Sequence, residues 1–409
     1  MNPRAALSFL SLTMACTGAA HDTAPPRPVR AEAPRQQLAR LLDEHDRAPA
    51  GARDALARRI DALAGQRYAT WSRLYWHRDL DDARREARAT GKPILSLRML
   101  GRLDQDLSCA NSRFLRVALY ANRDVSRYLS SHFILHWSSE RPVPVARIDF
   151  GDGRVLERTV AGNSAHYVLD AAGRPVDVLP GLYSPALFLD ALAQAAPVAT
   201  RAAALDDRAF ADLVVGFHGD QARRAARRFA SLGTVRVSAP GDTSLASAEM
   251  RAASKAVVEM PVVEALQLGT QVDLERARAW NRASDFWAQV GAAVDSRVAP
   301  SRLDRQSRAL FAALEPADWA RAGQPLPAAR VDHLIAAFES VMRRDVAYNE
   351  MVLHGAIHER MMSGSMDLAQ LNRWVYAELF LTPAEDPWLG MATPDIFTGL
   401  PRDGIAAAL

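Results

Sequence analysis

The sequence is almost free of lysine, although it is rich in arginine. Lys92 and Lys255 are the only lysines among 50 basic residues. The arginines are interleaved with acidic residues, and the formal net charge is only +3. No long basic stripe is present, so the chain is not expected to bind nucleic acid.

Several motifs that identify common enzyme classes are also missing. The sequence has no phosphate-binding loop, no dinucleotide-binding fingerprint and no Ser-His-Asp arrangement. The glycine-rich stretch "FGDG" lies between two strand patterns, so it predicts a hairpin turn rather than a phosphate cradle.

Cysteine is scarce, and one of the two cysteines follows a signal-like segment. Arg4 precedes an apolar run over residues 5–15, which ends directly at Cys16. This order is typical of a secretory signal, and the run is too short to cross a bilayer as a helix. We expect residues 1–20 to be a signal peptide of the bacterial lipoprotein type, with Cys16 lipidated. The alternative is an ordinary signal cleaved near residue 20.

Lipidation of Cys16 would place the protein in the cell envelope or periplasm, attached to a membrane through its acyl chains. It would also leave Cys109 without an intramolecular partner, so no structural disulfide is available. A lone thiol in an oxidising compartment is open to modification unless it is buried or used.

The length of 409 residues predicts at least two domains, each with its own core. Residues 21–69 begin as a tether rich in proline, alanine and arginine and continue as short helices broken near residues 49–51. Residues 70–195 mix strand and helix patterns, whereas residues 200–409 have helical periodicity. We therefore predict an α/β domain followed by an all-α helical domain, with a boundary near residue 200.

Local signals define several elements of the α/β region. A helix from about Asp79 is expected to end at Gly91. Two alternating runs over residues 145–160 flank Gly-Asp-Gly and predict a β-hairpin. Ser184, followed by Pro185, predicts the start of the closing helix.

The order of these elements resembles a known family. A helix ending in Gly-Lys-Pro leads into the strand "PILSLRML", "SCANS" opens the next helix, and "FILHW" follows as a strand. "HYVLDAAGRPVDVLPG" then predicts a hairpin. Residues 70–195 therefore resemble the extracytoplasmic thioredoxin-like proteins. The resemblance implies a thioredoxin-like fold, with Cys109 at the first cysteine of the family's Cys-x-x-Cys motif.

The chain departs from this family at the positions that provide its chemistry. Ser112 stands at the second cysteine, and Ser164 occupies the place of the cis-proline that faces the cysteines. A helix N-terminus would stabilise a Cys109 thiolate, and the Ser112 hydroxyl could donate a hydrogen bond to it. Such a thiolate can form a mixed disulfide, but Ser112 offers no second sulfur to resolve it.

Two functions are consistent with these residues, and neither requires a cofactor. The first is monothiol disulfide exchange or isomerisation, with Cys109 and Ser112 as catalytic residues and envelope proteins with thiols or disulfides as partners. The second is a non-catalytic thioredoxin-fold scaffold with a helical partner- or ligand-binding domain, because a lone cysteine often packs as a small hydrophobic residue. Whether the protein is an enzyme is left open.

A pair of histidines stands out in the helical region. His354 and His358 lie four residues apart, with Glu350 one turn earlier, a spacing that suits a transition metal. Gly355 occupies the position of the glutamate in zinc-protease motifs. Two histidines at helical spacing are more often a packed pair, so we predict no metal site and regard these two residues as weak candidates.

Overall fold

The computed structural model describes residues 33–159, 162–230, 287–321, 328–364, 366–380 and 382–385. The predicted signal peptide and its lipidation residue Cys16 lie outside these ranges. No helix within them is both long and apolar enough to cross a bilayer.

Two helices precede the sheet and pack against each other through a small apolar cluster of their own. They are α1 (Pro34–Arg47) and α2 (Ala50–Ala64). Helix α2 ends at Gly65, whose positive φ of 71° closes the helix in the left-handed conformation. The Gly65 carbonyl accepts a 2.8 Å hydrogen bond from the indole of Trp137, which joins this pair to the sheet. A short helix, α3 (Ala69–Ser72), follows.

Four strands form one mixed sheet in the order β2-β1-β5-β6. The pair β1–β2 is parallel, whereas β5 is antiparallel to both β1 and β6. Every residue of β5 and β6 is buried, in agreement with their nearly continuous apolar runs. The strands are β1 (Ile94–Leu100), β2 (Ile134–Arg141), β5 (Ser164–Leu169) and β6 (Pro175–Pro180).

The parallel pair requires a crossover connection, and helices provide it. Helix α5 (Ala110–Leu115) continues as a π-helical turn over Arg116–Tyr120, and α6 (Arg123–His132) follows. Before the sheet, α4 (Leu80–Thr90) begins after Asp79, whose side chain accepts from the Asp82 N–H, and ends at Gly91. These are the limits expected from the sequence.

The predicted hairpin is present as a separate two-stranded sheet of β3 (Val145–Asp149) and β4 (Val155–Thr159). Gly151 and Gly153 in its turn have φ values of 76° and 89°, a conformation that glycine adopts without a steric penalty. Most residues of this hairpin are exposed or half-buried, so it adds little to the core.

Helices dominate the described residues that follow β6. Helix α7 (Pro185–Ala202) begins after Ser184, which caps it by accepting a hydrogen bond from the Leu187 N–H. A further helical stretch covers residues 287–297. Two π-helical turns, over Asn349–Leu353 and Val375–Leu379, continue directly from the helices that end at Tyr348 and Trp374. The other helices are α8 (Asp207–Ala230), α9 (Arg305–Arg321), α10 (Ala328–Tyr348), α11 (His354–Met362) and α12 (Leu368–Trp374).

The structure thus has an α/β region followed by helices, which agrees with the order of regions predicted from the sequence. The expected boundary near residue 200 falls at the turn between α7 and α8. One hydrophobic core extends across it and includes Leu95 and Val178 of the sheet together with Val214 and Met342 of the later helices. We call the described residues from 207 to 385 the helical half.

Candidate functional site

Cys109 lies at the N-cap of α5, after the loop that leaves β1. Its Sγ accepts a hydrogen bond from the backbone N–H of Ser112 at 3.4 Å, and its thiol donates to the carbonyl oxygen of Asn163 at 3.6 Å. The residue is fully buried, with 0% of its surface exposed, and it forms no disulfide. A reactive thiol should be at least partly accessible, so this burial matches the expectation for core packing.

The hydroxyl of Ser112 is engaged elsewhere and not by the sulfur. Its Oγ lies 2.7 Å from Ser108 Oγ and donates to the Cys109 carbonyl oxygen at 2.8 Å. In the first turn of a helix a serine hydroxyl readily reaches back to the carbonyl three residues earlier. The predicted hydroxyl–sulfur hydrogen bond is therefore replaced by one from the Ser112 backbone.

A buried guanidinium organises the loop before Cys109. Arg116 is 1% exposed, and it donates to the Gln105 carbonyl at 2.8 Å and to Ser108 Oγ at 2.9 Å. Burial lowers the pKa of Arg116 to about 10, so the side chain remains charged at neutral pH. This one side chain thereby holds the loop that positions the cysteine.

The helical half covers the cysteine. Asn163, the acceptor of the Cys109 thiol, donates through its side chain to Thr382 Oγ1 at 3.0 Å. Phe114 of α5 packs against Phe338 of α10, with ring centroids 5.0 Å apart. Ser164, which the resemblance would place at the cis-proline position, is fully buried beside Asn163. The structure thus brings Cys109, Ser112 and Ser164 into one buried region.

A second group of polar side chains lies where α8 and α11 pack near β6. Asp177 comes from β6, His218 from α8, and His354 and His358 from α11; we call these four residues the histidine cluster. All four are buried. Asp177, His218 and His358 each offer a possible metal-ligand atom, and these atoms lie within 4.8 Å of one another.

Hydrogen bonds define the tautomer of His218. Its Nε2 lies 2.9 Å from the carbonyl oxygen of Val176, which can only accept, so Nε2 carries the proton. The neutral ring then has a lone pair on Nδ1, which is 2.9 Å from Nδ1 of His358. His358 must therefore supply the proton shared between these two nitrogens.

His354 is held between two carboxylates. Its Nε2 lies 3.0 Å from Asp177 Oδ1, and its Nδ1 lies 3.4 Å from Glu350 Oε2. Burial alone would lower the pKa of His354, but these two acids raise it to about 10. Burial likewise opposes ionisation of Asp177, yet the His354 charge holds the pKa of Asp177 at about 2. The pair is therefore an imidazolium and a carboxylate.

The other two rings are neutral at pH 7. Burial, and then the charge on His354, lower the pKa of His358 to about 2. Burial also lowers the pKa of His218. The cluster consequently contains two neutral imidazoles, one imidazolium and one buried carboxylate.

Sequence analysis identified only the part of this cluster that is local. His354 and His358 share one helix, but His218 is 140 residues from His358 in sequence. One signal was available for each missed residue. Asp177 is an acid in the middle of the apolar strand "PVDVLP", and His218 follows the apolar run "LVVGF" of α8. Charged or titratable residues in such runs require a buried partner.

A pocket adjoins the cluster and is lined in part by Asp177, His354 and His358. Its polar lining also includes two arginines, two further acids and a glutamine, which are Arg224, Arg228, Asp190, Glu350 and Gln221. Arg228 pairs with Glu350 at 3.5 Å, and Arg224 donates to Asp190 at 2.7 Å. The cluster is thus adjacent to a charged cavity and is not sealed by apolar side chains alone.

No protein-family model matches the chain, and neither a curated protein nor a solved structure matches it. The residues and their geometry are therefore the grounds for any proposed function.

Proposed function

We propose that the protein is an envelope protein in which a thioredoxin-like region serves as a non-catalytic scaffold for a helical partner- or ligand-binding half. Three features support the thioredoxin-like assignment. A parallel β1–β2 pair is connected through a helix that starts at Cys109, and β5 and β6 form an antiparallel hairpin beside it. The sulfur also lies next to Asn163, adjacent to the position that the family fills with cis-proline.

The burial of Cys109 is the observation on which the scaffold function rests. A thiolate must approach a disulfide sulfur directly to form a mixed disulfide. Both hydrogen bonds of the Cys109 sulfur are internal. The residue that accepts a hydrogen bond from the thiol, Asn163, is bonded to Thr382 of the helical half. Thiol exchange would therefore require the helical half to move away from the sheet.

Monothiol exchange is the second candidate, and one contact favours it. The backbone N–H of Ser112 donates to the sulfur at the start of a helix, an arrangement that stabilises a thiolate once the site is opened.

Alkylation distinguishes the two functions. The full-length protein is treated with iodoacetamide with and without denaturant, and peptide mass spectrometry follows Cys109 separately from Cys16. We expect labelling of Cys109 to be at least about 100-fold slower in the folded protein, since it requires an opening of the structure. Equal rates in the two states, together with a mixed disulfide formed by a small disulfide reagent, would establish the thiol-exchange function instead.

An exposed cysteine provides the matched control. Ser130 lies on the exposed face of α6, so Ser130→Cys should be labelled at the same rate with and without denaturant. Phe338→Ala removes the ring that packs on Phe114 and should accelerate labelling of Cys109. No acceleration would show that this contact does not keep the cysteine covered.

A further inference from the structure

We propose that Asp177, His218 and His358 form a binding site for a divalent transition-metal ion, for which Zn²⁺ is the probe. The site does not depend on Cys109, and it stands whether or not the scaffold function is correct. Two imidazoles and one carboxylate are a donor set that such ions accept, with further coordination positions left for water or a ligand.

The three donors come from three separate elements. Asp177 is in the centre of β6, His218 is on α8 and His358 is on α11, and their donor atoms lie within 4.8 Å of one another. Burying three such groups together costs free energy unless their polar atoms are satisfied. A metal ion would take the place of the proton that His218 and His358 share and would bind the Asp177 carboxylate as well.

The hydrogen bond from His218 Nε2 to the Val176 carbonyl is of a type that orients metal-binding histidines. Its Nε2–H donates to the Val176 carbonyl, which fixes the ring and directs the Nδ1 lone pair towards His358. Metal-binding histidines commonly donate their second ring N–H to a backbone carbonyl or a carboxylate in this way.

Asp177 retains an oxygen for the ion. Its Oδ1 accepts from the Val178 N–H at 2.8 Å and lies 3.0 Å from His354 Nε2. These contacts fix the carboxylate, and one of its oxygens lies within 4.8 Å of the donor atoms of the two imidazoles. His354 is therefore a positioning residue and not a ligand.

The two rings need only a small movement to accept the ion. The Nδ1 atoms of His218 and His358 are 2.9 Å apart. Two nitrogens bound to one tetrahedral zinc ion at about 2.0–2.1 Å are about 3.3 Å from each other. When the ion binds, His358 Nδ1 loses its proton and Nε2 of the same ring takes one up, so His358 stays a neutral imidazole and both Nδ1 lone pairs are free to bind the metal.

The adjoining pocket offers access to the remaining coordination positions. Its lining includes Asp177 and His358 of the proposed site together with Gln221 and the pair Arg228–Glu350. Three protein ligands and an accessible fourth position are typical of catalytic zinc centres, whereas structural zinc sites have four protein ligands.

Calorimetry on the full-length protein tests the site. After treatment with a chelator and dialysis, Zn²⁺ is titrated into the wild type, and Co²⁺ is titrated in parallel to record its visible absorption bands. We expect one ion per chain. His218→Gln and His358→Gln should each weaken Zn²⁺ binding by about 100-fold or more, because each removes a ligand rather than an outer contact.

The exposed His333 of α10 provides the matched control, since His333→Gln should bind Zn²⁺ like the wild type. If a cluster variant does not fold, ¹⁵N NMR of the histidines in the wild-type protein shows which of them bind Zn²⁺. Zn²⁺ should shift the Nδ1 resonances of His218 and His358 and leave that of His333 unchanged. Absence of Zn²⁺ binding to the folded wild type, or wild-type affinity for Zn²⁺ in both cluster variants, would overturn the proposal.

Discussion

A buried histidine beside the cysteine region should make the protein acid-sensitive. His166 of β5 is fully buried, and the hydroxyl of Tyr120 lies 2.6 Å from its Nε2. The other ring nitrogen, Nδ1, has no hydrogen-bond partner among the described residues. Burial lowers the pKa of His166 to about 3.

The sign and size of the effect follow from linkage. At pH values between the two pKa values of His166, about 6.5 in the unfolded chain and lower in the folded protein, the ring is protonated in the unfolded chain but neutral in the native state. The stability contributed by neutral His166 is therefore present above about pH 6.5 and is lost as the pH falls. From about pH 7 to about pH 4, this residue should lower the free energy of unfolding by roughly 3 kcal/mol.

The variant His166→Gln isolates that contribution. Glutamine cannot titrate, and its amide oxygen can still accept from Tyr120. Urea unfolding followed by circular dichroism gives the free energy of unfolding across this pH range. From about pH 7 to about pH 4, the free energy of unfolding should fall by roughly 3 kcal/mol less in the variant than in the wild type. Other buried histidines, such as His136 with a pKa of about 4, titrate in both proteins, so they cancel in the comparison.

The control is His333→Gln, which makes the same exchange at an exposed position, so an equal change in both variants would come from the exchange itself and not from burial. If His166→Gln and the wild type lose the same stability between about pH 7 and about pH 4, then the His166 ring accepts a proton in the folded state, and the reasoning from burial is wrong.

Three further predictions concern single positions. Gly181→Ala should destabilise the protein by about 1–3 kcal/mol in urea unfolding. The φ of Gly181 is 77°, and a Cβ at this position would lie 2.6 Å from the Asn349 side chain. Unchanged stability of the variant would contradict this reasoning. Ser112→Cys should form an internal disulfide with Cys109 on mild oxidation, detected as a loss of two thiols, since the Ser112 N–H already contacts the sulfur. Mass spectrometry of the mature N-terminus should find acyl chains on Cys16, and an unmodified N-terminus beyond that residue would rule out lipidation.

Sequence signals were sufficient wherever a few adjacent residues decide the conformation. The turn glycines 151 and 153 predicted the hairpin because their positive φ suits the turn. Asp79 and Gly91 gave the limits of α4, and Ser184 gave the start of α7, because caps act within one helical turn.

Features that depend on residues far apart in sequence could not be predicted in this way. Asn163, which accepts from Cys109, is bonded to Thr382, and Phe114 packs on Phe338, but nothing near "SCANS" indicates either contact. The histidine cluster depends on the way α8 packs against α11, which single-helix periodicity does not specify. Ser112 also shows the limit of a motif, because its hydroxyl has a nearer acceptor than the sulfur.

The π-helical turn over Asn349–Leu353 joins α10 to α11 in one continuous helix. It determines the direction in which the side chains of α11 point relative to those of α10. Helix α10, before the turn, directs Ile335 and Met342 into the core, and α11, after it, directs His358 towards β6. A π-turn amounts to one residue inserted into an α-helix. Removing one residue there would rotate α11 by about 100° relative to α10. His354 and His358 would then point away from Asp177, although all four residues of the histidine cluster would still be present in the chain.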